Sequence, residues 1–446
     1  MRGKQQLNLF SFTMIVVGLV IGMGIFRTAA TSAKDAINPS VYFIAWLLGG
    51  FVAFCGALTY AEIGSRYPVT GGYYKIFSVA YHPSIAFAIN CIILISNAAS
   101  LSGVALIGSG YIVKLLPGNH WNDIDKAIIS AIAIVVFYGI NLMGLRMSAK
   151  AQNILMLIKI GMIVVLIAAL FFPVTQPAAV QQANDVTTNM SWIQSLGISL
   201  IAVSFTYGGY QQTINFGNEI NEPAKNMPRG IFMGIAIIII LYLLVNYSYY
   251  KIIGFHQMKQ ETEIAYVLIH NVFGVRGAEI FSFFLFVGVL SYVNALLLSN
   301  PRVMYAMSDE GSLPKIFGKQ SSKNQVLTVS LTVFTAMCII ILVFAQTFEK
   351  ILNFTIFLDS FGMVGSSATI FILRRKTKHL DNTGIYKMKL YPLLPIIFIA
   401  AYVFVCVSII IRTPLTALVG VLVLAAFIIL YFIFHKKQHD SSTLIS

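Results

Sequence analysis

Residues 17–26 read Val17-Gly18-Leu19-Val20-Ile21-Gly22-Met23-Gly24-Ile25-Phe26. The stretch is apolar enough to sit in lipid, yet it places three glycines inside one prospective spanning helix. Glycine loses more backbone freedom on entering a helix than any other residue. Gly22-Met23-Gly24 is therefore a place where a helix can unwind and bare its N–H groups. Hydrocarbon tolerates bare backbone only where it lines a cavity or is buried in protein. The functional reading is a broken transmembrane helix whose ends hold a small charged solute. The plainer reading is a close-packing face of small residues.

Composition sets the environment. The chain has 446 residues, 58% hydrophobic and 10% charged, where soluble domains carry about 25% charged residues. It reads as a polytopic membrane protein in contact with the lipid bilayer. Its net charge of +14 would suit nucleic acid, but the charges lie in the connections between apolar runs, so that reading falls away. Cys55, Cys91, Cys338 and Cys406 occupy separate apolar segments without metal or disulfide spacing and read as packing residues. The histidines are scattered, and neither a metal site nor a cofactor is expected. Arg2, Lys4 and the small residues Ala29–Ala33 resemble a secretory signal, but the apolar run exceeds the usual core of about 7–15 residues and is read as a retained span.

A spanning helix needs about 20 apolar residues. Twelve such segments are expected, at 8–33, 41–64, 84–116, 127–143, 152–173, 191–218, 229–254, 277–307, 326–347, 350–374, 392–412 and 414–435. Of the 30 lysines and arginines, 20 fall on the side of the N-terminus, 9 on the other, and Lys159 within a span. That bias puts both termini in the cytoplasm, in the cell membrane.

A second interruption matches the first. Span one begins near Asn8 and meets its glycines about 14 residues later; span six begins near Ser191 and meets Tyr207-Gly208-Gly209-Tyr210 about 16 residues later. Both fall near mid-bilayer at ~1.5 Å per residue. The two are five spans apart, an odd number, so spans 1–5 and 6–10 run with opposite topology. Paired interruptions in two halves point to a transport site. A free amino acid fits the chemistry: its carboxylate suits N–H groups of Gly22, Met23 and Gly24 at the positive start of a half-helix. Its ammonium suits carbonyls near Phe205 and Gly208, where a helix ends. Phe205, Tyr207 and Tyr210 would wall and gate the side-chain pocket.

Two ionisable residues lie deep in spans, where a charge is costly and functional by default. Lys159 can donate to freed carbonyls near Gly18 and to Ser291, in the place a sodium ion would take; the plainer alternative is snorkelling to the surface. Asp359, about ten residues into span ten, is expected to meet Arg27 over the substrate as an outer gate pair. Glu62 and Glu219 read as local anchors near cytoplasmic ends.

These residues together resemble the amino acid–polyamine–organocation superfamily, and within it the L-type amino acid transporter-like permeases. The motifs are Ile21–Phe26, Tyr60–Gly64 through Thr70–Tyr74, Phe205–Tyr210, and Asn218–Pro223 through Met227–Arg229. They continue with Arg302 through Pro314, and with Tyr391–Pro395. The resemblance implies an all-α, LeuT-like fold of 12 transmembrane helices with broken helices 1 and 6. It implies a first inverted repeat at 1–174, a second at 190–376, two further helices at 390–436 and a cytoplasmic tail at 437–446. It carries substrate contacts onto Val20, Gly22, Met23, Gly24, Phe205 and Gly208, with Ile21, Thr206 and Tyr207 alongside, and the sodium-replacing role onto Lys159. Met23 departs from the small hydroxylated residue common there, and Tyr210 from the tryptophan of many L-type relatives. The expected function is sodium-independent, secondary-active transport of neutral L-amino acids by alternating access, through exchange or with protons. A cationic amino acid or polyamine carrier is the second transport reading, and a non-transporting amino acid sensor the reading of another class. No enzyme chemistry appears. No cysteine stands outside the membrane to bridge to a partner, so no obligate protein partner is expected.

Overall fold

The computed structural model describes residues 8–443 apart from 70–71, 114, 117–120, 175–190, 218–219, 322–325, 345–347 and 381–383. Glu219, Thr70 and Gly71, singled out above, lie outside the described residues. The described chain is helical, without a strand. In order it forms α1 (Leu9–Val20), α2 (Gly24–Asp35), α3 (Pro39–Arg66), α4 (Gly72–Ala80), α5 (Pro83–Val113), α6 (Asp123–Leu142) and α7 (Leu145–Ala168). There follow α8 (Trp192–Tyr207), α9 (Pro223–Ile253), α10 (Phe255–Gln260), α11 (Ile264–Asp309), α12 (Thr328–Phe344), α13 (Phe348–Lys376), α14 (Leu393–Arg412) and α15 (Pro414–Thr443).

The helix starts follow from local sequence. Asn38 accepts from the Val41 N–H at 2.9 Å with Pro39 in the first turn, and Asn122 with Asp125, and Ser191 with Gln194, close reciprocal capping boxes. Each satisfies donors that a helix leaves bare at its start. α11 is interrupted at Gly274, whose φ of 71° lies in the left-handed region.

Seven of these helices contain stretches long and apolar enough to cross a membrane: α3, α5, α7, α9, α11, α13 and α14. The pair α1 and α2, bent by 41°, makes an eighth. This is a multi-pass membrane protein. The expected twelve spans are not all of that kind. α8 stops after 16 residues and α12 after 17, short of the ~20 that a straight crossing takes; α8 is short because its break cuts it. Large apolar side chains such as Leu157 and Ile411 are more than two-thirds exposed, as lipid-facing surface requires.

α5 is the most deeply buried of the spans, packing against α11, α13, α12, α15 and α6. Its run Ser96–Gly103 is rich in serine and alanine, and small side chains let neighbouring helices approach closely. α1 lies along α9, and α2 along α8.

One charged cluster fastens this scaffold on the face that carries most of the basic residues. Glu62 of α3 accepts from Arg66 Nε at 2.7 Å, from Arg374 Nε and Nη2 of α13 at 2.7 Å each, and from the Met388 N–H at 2.9 Å. Arg374 also stacks on Tyr391, 3.6 Å from the ring centroid. Glu62 and Arg66 are buried. Breaking such a cluster by removing its acid strands buried cations, at a cost of about 3–5 kcal/mol. Glu62→Ala should lower the thermal unfolding temperature of the detergent-solubilised protein markedly, whereas Lys126→Ala, which breaks an exposed pair with Asp123, should leave it within a degree or two.

Candidate functional site

The first break spans three residues between α1 and α2. The Ile21 N–H still bonds the Val17 carbonyl at 2.8 Å, but the Gly22 N–H folds back onto Val20 O at 2.6 Å. The helix resumes with the Phe26 N–H on Met23 O at 3.1 Å. Between these, the N–H groups of Met23, Gly24 and Ile25 find no backbone acceptor among the described residues. They are the bare donors at the positive start of α2.

The second break follows Tyr207. Gly209 has φ of 113°, and a Cβ there would sit 2.2 Å from the Leu19 carbonyl oxygen. Position 209 must be glycine, because the two broken segments touch backbone to backbone. Beyond it the chain runs as a six-residue 3-10 stretch, Tyr210–Asn215, so the second break is followed by a tighter coil than a second α-helical half. α2 and α8 are latched by a hydrogen bond between the Thr28 and Thr206 hydroxyls. A Cβ on Gly24 would come within 2.8–3.0 Å of Thr206, so Gly24 is required by that approach.

The breaks face one cavity with about 70 Å³ of room for the centres of water molecules. It is lined by Gly18, Val20, Gly22, Met23 and Gly24 from the first break and by Phe205, Thr206 and Gly208 from the second. Asn97 and Ser100 of α5, Tyr292 of α11, Asp359 of α13 and Tyr402 of α14 close it.

Behind the first break stands Lys159. Its ammonium is buried and donates to Ile21 O at 2.7 Å, a cation at the negative end of α1. α9 supplies two more donors to this segment: Tyr242 OH to Val20 O at 3.1 Å and Tyr249 OH to Ile25 O at 3.2 Å. α7 is held for this purpose by a polar ladder. Asn141 Nδ2 donates to Asn294 Oδ1 at 2.9 Å, Asn294 Nδ2 to Gln152 Oε1 at 2.9 Å, and Gln152 Nε2 to Ser291 Oγ at 3.2 Å.

A family model described as an amino acid permease matches residues 7–434. The chain belongs to that family. It is similar to the serine/threonine exchanger SteT of Bacillus subtilis (strain 168), 25% identical over 445 residues covering 98% of both chains. It is likewise similar to the methylthioribose transporter of the same organism, 26% identical over 97% of this chain and 94% of that one. The large neutral amino acids transporter small subunit 2 of Homo sapiens is 23% identical over 98% of this chain and 81% of its own. Family and relatives are transporters, not enzymes.

The permease's structure gathers most of the residues singled out in its sequence and turns some away. Ile21 is not at the cavity; its side chain is buried and its carbonyl serves Lys159. Tyr207 points into an aromatic cluster with Trp46 and Tyr242, ring centroids 5.9 and 5.2 Å away. Tyr210 is buried against Tyr60 at 5.9 Å. Neither tyrosine lines the cavity, because the turn at Gly208-Gly209 rotates them behind it. Ser291 bonds Gln152 rather than Lys159. Arg27 is half-buried on α2 within electrostatic reach of Tyr111, as is Glu263. Asp359 has no ion pair with Arg27 here, and the charges are not brought together. The sequence reading missed Asn97, Ser100, Tyr292 and Tyr402. Asn97 and Ser100 carried a signal: two polar side chains one turn apart inside an apolar span.

The two glycines of the first break separate by substitution. A Cβ on Gly22 would lie 3.7 Å from the Tyr292 ring, an ordinary contact. Gly22→Ala should therefore fold with unchanged thermal stability while weakening ligand-induced stabilisation about tenfold in apparent affinity, since ligand binding to the folded state raises stability. Gly24→Val should unfold earlier even without ligand, overpacking costing about 1–3 kcal/mol.

Proposed function

We propose that the protein is a secondary-active carrier of small neutral L-amino acids across the cell membrane, working by alternating access without sodium, through exchange or with protons. The observation that carries this is the meeting of two opened helices in one cavity. Bare N–H groups of Met23 and Gly24 lie on one side of it, and the carbonyl end of α8 on the other. A zwitterion is the solute whose two charges such ends satisfy together. Val20, Gly22, Met23, Gly24, Phe205, Thr206 and Gly208 are its contacts in this reading. Size narrows the class. About 70 Å³ of room for water centres is space for a small side chain rather than for a long cationic one.

Lys159 replaces a sodium ion in this proposal: it ties α1 to α7 where a metal ion would otherwise bridge opened backbone. Residues 1–174 and 190–376 act as two inverted repeats, with 390–436 appended, 437–446 as a tail and both termini cytoplasmic. An Arg27–Asp359 pair would belong to a different gate state from this one. One relative is named a small subunit. Here all four cysteines lie within helices, Cys55 and Cys338 buried, and we infer a carrier that works without a disulfide-linked partner.

Uptake of labelled serine or alanine into proteoliposomes tests the reading and separates a carrier from a sensor. Replacing sodium by choline should leave uptake unchanged. Lys159→Ala removes a charge-assisted bond worth about 1.5–3 kcal/mol and should cut uptake about ten- to hundredfold. Steep sodium dependence of the unsubstituted protein would remove Lys159 from the coupling role.

A further inference from the structure

Asp359 is the charge in the cavity that a zwitterion does not need. Its carboxylate lines the cavity, and no hydrogen bond or ion pair is made to it by the described residues. It is half-buried, and it faces the cavity it lines. The elements around it offer hydroxyls and no countercharge. Tyr292 of α11, Tyr402 of α14, Tyr60 of α3 and Tyr73 of α4 lie within its electrostatic reach. α5 and α8, both packed on α13, carry no charged residue. The other charges on these elements are engaged elsewhere: Arg412 bonds both Asp35 oxygens at 3.0 Å, Glu62 and Arg66 share the anchor cluster, and Lys75 meets Asp309 and Glu310. Arg27 of α2 lies within electrostatic reach of Tyr111. A carboxylate held this way is relieved only by a proton or by a cation on the solute. The small cavity disfavours the second.

The surroundings also supply a path. Gly362 and Ser366 continue the Asp359 stripe along α13, Ser366 standing seven residues or ~10 Å further on. The hydroxyl of Tyr60 bonds that of Ser366, and Tyr73 OH donates to Ser366 Oγ at 3.1 Å. Position 362 has no side chain to intervene, and a Cβ there would lie 3.5 Å from Tyr73 OH. Tyr402 thus stands at the cavity, and beyond it the bonded hydroxyls of Tyr60, Ser366 and Tyr73 reach α4, on the face that carries the Glu62 cluster.

We propose that Asp359 is the proton-carrying residue of the transport cycle. Its carboxylate takes one proton from cavity water as the amino acid enters. It gives that proton up toward the α4 side after the amino acid has left, through cavity water to the bonded hydroxyls of Tyr60, Ser366 and Tyr73. One proton then accompanies each zwitterion, and one positive charge crosses per cycle. This rests on the carrier reading above and chooses proton linkage within it.

The test uses the full chain in proteoliposomes, with labelled serine followed in counterflow and under an acid-outside pH gradient. The unsubstituted protein should accumulate serine above equilibrium, lose that with a protonophore, and alkalinise the acidic side on serine addition. Asp359→Asn should lose gradient-driven accumulation at least about tenfold, and its remaining counterflow should no longer change with pH. Asp359→Glu, which keeps a carboxylate, should restore accumulation. Gradient-driven accumulation by Asp359→Asn overturns the proposal, as does an unsubstituted protein active in counterflow but indifferent to the gradient. Loss of counterflow as well in Asp359→Asn makes the carboxylate a binding group and overturns it too. So does competition by lysine or ornithine that disappears in that variant. Absence of counterflow in the unsubstituted protein removes the carrier reading itself.

Discussion

The bond from Lys159 to the Ile21 carbonyl is the constraint on which the site depends. An opened helix in a low-dielectric surround exposes carbonyls that water cannot reach and that helical N–H groups no longer meet. Lys159 meets one of them at 2.7 Å and Tyr242 another at 3.1 Å, while Tyr249 adds a bond to the Ile25 carbonyl inside α2. The carbonyl side of the break is thus met by protein, while the N–H groups of Met23 and Gly24 find no backbone acceptor among the described residues. The polar ladder from Asn141 to Ser291 reads as support for that arrangement, since it fixes α7 against α11 and so fixes where the lysine stands.

Glu62, Lys159 and Asp359, three charges inside the bundle, illustrate three different solutions. Glu62 is enclosed by two arginines and a backbone N–H, and every oxygen is used; it holds elements together. Lys159 is matched to a helix end and one carbonyl, and it holds a conformation open. Asp359 faces hydroxyl-bearing side chains across a cavity and makes no bond to the described residues. A satisfied buried ion stabilises one geometry, whereas an unsatisfied one responds to whatever arrives. On the proposed function, that difference separates scaffold from machinery along α3, α7 and α13.

Much of this was legible in the sequence, and the reasons are specific. Composition alone makes this chain a membrane protein, since 10% charge cannot coat a soluble surface. Gly22-Met23-Gly24 and Gly208-Gly209 mark the breaks because repeated glycine inside an apolar run is a backbone signal, and backbone conformation is largely local. Lys159 announced itself as a charge at bilayer depth. The family membership follows from motifs spread in order along the chain.

What only the tertiary structure decided is direction. The sequence places Tyr207 and Tyr210 beside a break but does not say which way the turn at Gly209 rotates them; packing against Trp46 and Tyr60 turns both behind the cavity. It places Arg27 and Asp359 on the same half of the membrane, yet their neighbours are set by helices remote in sequence, and the two are not joined. Tyr292 and Tyr402 reach the cavity from α11 and α14, whose own patterns are those of ordinary apolar spans. Even Gly24 changes its reason, from access for a solute to the approach of Thr206. Local backbone propensity is written in neighbouring residues. Which side chains converge on an opened backbone depends on how distant helices pack, and that is a property of the whole fold.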